Sequence, residues 1–120
     1  MSSLLLWIDS EHAKIFRFSP EGMQKQEMKR AEPDHHTHPH KEDHNSEHFF
    51  HQVAESLKSA KEIIIAGPGL AKTHFKTHLE KHHHGNIAKN VIAMETMDHL
   101  TDPQIEATGR KFFKHAHLFS

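Results

Sequence analysis

The stretch IIIAGPGLAKTHF, residues 63–75, sets an apolar run directly against Gly67-Pro68-Gly69 and follows it with Lys72. A glycine-bearing turn between a buried strand and a helix leaves backbone N–H groups beside the positive end of that helix. Such a turn is a generic anion site, and a lysine in the first helical turn adds a full charge. The established phosphate motifs do not fit. A Walker loop needs Gly-Lys-Ser/Thr, whereas Ala71 precedes Lys72, and the dinucleotide fingerprint needs a third glycine where Lys72 stands. The same residues equally make a tight connection at the carboxyl edge of a sheet, with Lys72 solvated.

Histidine is the second source of chemistry, at 16 of 120 residues. Seven lie between positions 35 and 51: His35, His36, His38, His40, His44, His48 and His51. On a helix His48 and His51 fall on one row, which His44 continues if the helix starts early, with Glu55 nearby. Imidazoles at such spacing, with a carboxylate, suit Zn²⁺, Ni²⁺ or Cu²⁺. A second row, His74, His78 and His82, steps by four along the next helix and borders the apolar face of Phe75 and Leu79. No His-Glu-x-x-His motif is present and there is no cysteine, so a weakly metal-binding, solvated surface accounts for the rows as well. A pH response is a third reading, because imidazoles titrate close to physiological pH and their protonation strengthens contacts with phosphate. The third group is acidic. Asp9, Glu95 and Asp98 stand at or beside strand ends, where two-metal phosphodiester cleavage places carboxylates. The alternative is that Asp9 and Asp98 cap turns and Glu95 faces solvent.

The chain bounds these readings. Its length fits one domain, residues 1–120, with a single core. The net charge of −1 is no global footprint for nucleic acid. Charge is uneven: residues 1–60 carry 7 basic and 10 acidic side chains, residues 61–120 carry 8 and 6. The half holding Gly67–Lys72 is thus mildly positive. Absence of cysteine excludes a disulfide scaffold and thiolate metal sites, and fits a reducing compartment. The N-terminal MSSLLLWIDS has no basic segment and too short an apolar run for a signal core or a span. The expectation is a soluble, cytoplasmic protein with no membrane and no DNA partner, its oligomeric state open.

The elements that position these groups follow from periodicity. Leu4–Ile8 is an apolar run expected to be a strand buried on both faces. HAKIFRFS alternates as a half-buried strand, SPEG turns the chain, and MQKQEMKRA pairs back as a polar third strand. Residues 31–48, with six histidines, two prolines and no large apolar residue, are expected to form a histidine-rich mobile loop. A helix is expected from an N-cap at Ser46, its core face Phe49, Phe50, Val53, Leu57 and Ala60. EIIIAG reads as a strand in the middle of a parallel sheet. Leu70 to about His82 reads as a helix with Ala71, Phe75 and Leu79 inward, ended by Gly85 and Asn86. NVIAMETM is another strand. The final helix starts at Thr101, with Gln104 able to close a capping box and Pro103 harmless in the first turn. The order βββ-α-β-α-β-α implies an α/β fold with a mixed sheet and helices packed on it.

IIIAGPGLAKTHFKTHL resembles the corresponding segment of the central domain of archaeal and eukaryotic peptide-chain release factor 1 and its relative Pelota (Dom34): an apolar strand, Gly-Pro-Gly, a lysine, then an aromatic and a leucine on a helix. FFHQVAESL and METMDHLTDPQIEA are similar to small bacterial release-factor-domain-like, "translational machinery" proteins. The resemblance spans residues 3 to about 114 and implies an RNase H-like mixed sheet of the translational machinery component type. In the release factor, the loop before the first long helix carries Gly-Gly-Gln, which assists hydrolysis of peptidyl-tRNA. The equivalent region here, 31–48, has neither glycine nor glutamine. At this length the flanking domains of such factors are not expected. Pelota, which lacks the tripeptide too, is the nearer analogue.

The resulting expectation is a non-catalytic factor associated with the ribosome or with tRNA or rRNA, requiring no cofactor. Its contact surface would be Gly67, Pro68, Gly69, Lys72 and Lys76 with Arg110, Lys111 and Lys114. The alternative is a histidine-rich Zn, Ni or Cu protein centred on residues 35–51 and Glu55. The least favoured reading is a hydrolase of peptidyl-tRNA or RNA.

Overall fold

Apolar residues on both parities of a strand require cover on both sides of its sheet, and the computed structural model shows that arrangement. It describes residues 3–30, 42–82 and 85–117. Strands β1 (Ser3–Ile8), β2 (His12–Ser19) and β3 (Gly22–Lys29) form an antiparallel meander. They are followed by α1 (Glu42–Ser56), β4 (Glu62–Gly67), α2 (Ala71–Lys81), the one-turn α3 (Gly85–Ala88), β5 (Val91–Thr96) and α4 (Asp102–His117). The five-stranded sheet runs β3-β2-β1-β4-β5, with β4 parallel to both β1 and β5. The mixed α/β sheet expected from the element order is therefore present, and β4 does lie between parallel neighbours.

β1 is buried along its whole length. Leu4, Leu6 and Ile8 join Ile63 and Ile65 of β4 on one face, under Phe49 and Val53 of α1, Leu57 just beyond its end, and Phe75 and Leu79 of α2. Leu5, Trp7 and Ile64 point to the other face, under Ile105 and Phe113 of α4. Each such side chain contributes about 1.5–3 kcal/mol relative to an exposed position. β2 departs from the half-buried expectation. Ala13 and Ile15 enter the first core while Phe16 is fully buried in the second, because α4 covers the face a meander alone would leave wet.

Two boundaries differ from the sequence reading. α1 begins at Glu42, not at Ser46, so residues 42–48 are helical rather than loop. Glu42 and Asp43 form an acidic start that favours a helix N-terminus, and no proline or glycine separates them from Phe49. Residues 31–41 lie outside the described residues. α2 ends at Lys81, where the His82 N–H donates to the His78 carbonyl at 3.0 Å. Gly85 and Asn86 do not terminate it but open α3, which exists because Ile87 is buried in the first core.

Candidate functional site

β1 and β4 run parallel, so their carboxyl ends lie side by side and the Gly-Pro-Gly turn emerges beside the end of β1. Gly67 is buried, and a Cβ there would stand 2.1 Å from the Ile8 carbonyl oxygen. The first glycine is thus demanded by the close approach of two backbones. Gly69 has nothing within 4 Å of such a Cβ and is exposed, as is Leu70. Steric need therefore explains Gly67 and leaves Gly69 unexplained.

α2 starts immediately after this turn. Leu70 occupies its N-cap with no side-chain cap, and no acidic residue lies in its first turn. First-turn amides lacking intrahelical partners and a capping oxygen make the exposed turn positive. Lys72 does not extend this field outward as expected. Its ammonium folds back and donates to the Gly69 carbonyl, fastening the turn. Lys76 follows one turn later, half-buried.

The cations of α4 do not join this patch. α2 packs on the first face of the sheet and α4 on the second. α4 also runs back toward the start of β1, where Phe113 packs on Phe18 with ring centroids 5.7 Å apart. Arg110 and Lys114 line a cleft of about 500 Å³ there, with Ser3, Phe18 and Pro20. Arg110 donates to Glu106 at 2.9 Å, its guanidinium 5.5 Å from the Phe18 ring centre. Lys111 lines a different cleft, about 680 Å³, beside Glu95, Met97, Asp98 and Phe112. The sequence-predicted cations thus form separate groups: Lys72 and Lys76 at one edge, and Arg110, Lys111 and Lys114 on the opposite face.

The histidine rows divide likewise. His48 and His51 are exposed on α1, and His51 Nε2 stands 3.9 Å from Glu55, which also pairs with Lys58 at 2.9 Å. His35, His36, His38 and His40, and the His44 side chain, lie outside what is described. On α2, His74 is exposed but His78 is 7% exposed, its ring 5.6 Å from Phe50 and 4.4 Å from His82. Its place at the rim of the core, rather than on a solvated row, follows from α1 laying Phe50 across α2. Among the described residues no group of three or more His, Asp or Glu side chains is arranged to hold a metal ion. Asp9 accepts from the Glu11 and His12 N–H groups at 2.8 and 2.6 Å, so it shapes the β1–β2 turn.

One charged cluster gave no local sign in the sequence. Asp102, at the start of α4, accepts from Lys14 of β2 at 2.8 Å and from Lys25 of β3. Lys25 also lies 3.3 Å from Glu27. Hydrogen bonds from Lys14 and Lys25 hold the Asp102 carboxyl below its usual range, and those to Asp102 and Glu27 push the Lys25 ammonium above its own. Lys14 further lies 5.6 Å over Trp7, whose indole N–H donates to the Asp98 carbonyl at 3.3 Å. Asp102 is 88 residues from Lys14 and 77 from Lys25, so only the folded topology brings them together.

No family model matches the sequence, and a search of curated proteins finds no match. Solved structures do match. Pelota of Archaeoglobus fulgidus superposes with a TM-score of 0.66 at 24% identity, covering 92% of this chain and 31% of that one. An archaeal translation termination factor, aRF1, gives 0.62 at 16% identity over 84% of this chain and 31% of its own. Dom34 of S. cerevisiae, a translation termination-like factor involved in RNA quality control pathways and interacting with Hbs1, gives 0.53 at 13% identity, covering 78% and 28%. The chain spans about a third of the length of these structures. The resemblance read from the sequence is therefore a likeness of fold.

Proposed function

We propose that this chain is a translation-related factor that associates with the ribosome or its RNA and catalyses no reaction. The observation that carries the reading is the superposition of most of the chain on Pelota and the archaeal termination factor. Two features of the chain support it. Residues 31–48 hold no Gly-Gly-Gln, which the hydrolytic role of a release factor would need. The Gly67–Lys72 turn presents uncapped amides at an exposed edge, fitted to a backbone phosphate. Lys76 extends this contact along α2. Arg110 and Lys114 serve a second contact in their own cleft beside the start of β1, and Lys111 lines a separate cleft beside the end of β5. The place of action is then the cytoplasm.

Co-sedimentation with ribosomes at low and moderate salt, with and without chelator, tests the reading. Pelleting falls as salt rises and ignores chelator. Gly69→Glu, which sets a carboxylate against the amides, reduces pelleting more than Lys72→Ala, because the Lys72 ammonium is already engaged with the turn. No pelleting in any condition sinks the proposal, and pelleting abolished by chelator moves the histidines of residues 35–51, with zinc or nickel, to the front. Release of peptide from peptidyl-tRNA by the purified protein overturns the non-catalytic part.

A further inference from the structure

α4 crosses β2 so closely that the crossing admits no side chain. A Cβ at Gly109 would stand 2.7 Å from Phe18 Cζ and 3.2 Å from Leu5 Cδ1. Glycine inside a helix is less favourable than alanine by about 1 kcal/mol, and here it lets the helix settle over an aromatic ring. The next residue, Arg110, lies over that same ring, 5.5 Å from its centre. Glu106 accepts from Arg110 Nε at 2.9 Å and so fixes the guanidinium as well. Held by two partners, the Arg110 side chain is still 48% exposed.

The cleft beside this pile, about 500 Å³, has the size of a small-ligand site. Its charged lining residues are Arg110 and Lys114, and among the described residues no carboxylate lines it. Glu106 offsets the Arg110 charge, so Arg110 offers the cleft a plane more than a cation. The ammonium of Lys114, exposed one turn further along α4, supplies the positive charge. Phe18, Pro20 and Phe113 make an apolar wall. The two lining hydroxyls are spent as donors: Ser3 Oγ donates to Glu62 at 3.1 Å and Ser19 Oγ to the Gly22 carbonyl at 3.2 Å.

We propose that this cleft receives an unpaired nucleotide of an RNA strand, its base stacked on the Arg110 guanidinium and its phosphate against Lys114. The base extends a pile that Phe18 and Arg110 have already begun, and a guanidinium fixed in advance loses little freedom on stacking. A base within a duplex has both faces covered and does not reach the plane, so the cleft selects single strands. Stacking asks only for a π face, and neither hydroxyl is left to donate to a base edge. Binding is therefore tolerant of sequence. The inference rests on the RNA part of the proposed function and names the form of RNA that is held.

Fluorescence anisotropy with a short single-stranded RNA, and with the same strand annealed to its complement, tests it. At equal salt the single strand binds more tightly. Arg110→Lys keeps the charge and removes the plane; it weakens single-strand binding about tenfold and leaves duplex binding unchanged. Gly109→Ala, with an unchanged circular dichroism spectrum, displaces Phe18 from beneath the guanidinium and has the same selective effect with no charge altered. Lys114→Ala lowers the slope of log affinity against log salt by about 0.7. A 4-thiouridine in the strand crosslinks on irradiation to peptides of β2 and α4. Equal affinity for the two RNA forms, wild-type affinity of Arg110→Lys for the single strand, or crosslinks confined to α2 overturns the proposal. Displacement of the strand by AMP at comparable concentration overturns it too, in favour of a free nucleotide. Ribosome pelleting is a separate readout. Its failure beside intact single-strand selectivity removes the ribosome reading and spares the cleft, and pelleting without that selectivity does the reverse.

Discussion

At residue 67 a methyl group has no place to go, whereas at residue 69 it meets open space. The two glycines of one turn therefore separate structure from function. Gly67→Ala destabilises the fold by about 3 kcal/mol or more, since two backbones must part. Gly69→Ala changes stability by no more than about 0.5 kcal/mol. Urea denaturation of both variants checks the contrast, and equal losses would show that the turn is rigid throughout. The motif itself was legible as a run of letters, with its strand before and helix after. What the letters could not convey is that the Lys72 ammonium bonds the turn's own carbonyl, since a side chain's rotamer is chosen by its surroundings. The burial of His78 was hidden for a similar reason: its position borders the apolar face, and only the crossing of α1 over α2 decides which side of the border it takes.

Elements begin where local chemistry is strong, and α4 is the clearest case. The Thr101 N–H donates to Gln104 Oε1 at 3.0 Å and the Gln104 N–H to Thr101 Oγ1 at 3.3 Å, so the capping box legible in TDPQ is formed. Thr101→Ala removes half of it and costs about 1 kcal/mol, read as a lowered thermal midpoint. The ion cluster one residue later was not legible, because it joins three elements that only the sheet brings together. Its pH dependence has a fixed sign. Asp102 titrates lower when folded than when unfolded, so its stabilisation is complete above the unfolded value of 3.8 and lost as pH falls through the lower folded value. Asp102→Asn consequently lowers the thermal midpoint at pH 6, and the gap to wild type closes as pH falls below 3.8 through the lower folded value. A gap that stays constant across that range would mean that the cluster contributes no charge-dependent stability. β5 was visible as a strand, but its rank as an edge was not. Edge or centre is a property of the sheet's order, which local periodicity does not encode.

At the scale of the molecule, the proposed association with RNA carries a pH dependence, because sixteen histidines sit on a chain of net charge −1. Affinity for single-stranded RNA at fixed salt rises about tenfold or more between pH 7.5 and 5.5, measured by fluorescence anisotropy. A flat profile would show that the histidines lie away from the contact. The sheet order carries a consequence of another kind. β1 finds β2 within a hairpin's reach, but its other neighbour is β4, and the Ser3–Glu62 hydrogen bond that marks the start of that pairing closes 59 residues of chain. As the chain leaves the ribosome, the first hairpin is complete while one margin of its most apolar strand is still waiting. Until β4 arrives, this nascent hairpin is a sticky template, and synthesis rate sets how long it stays open.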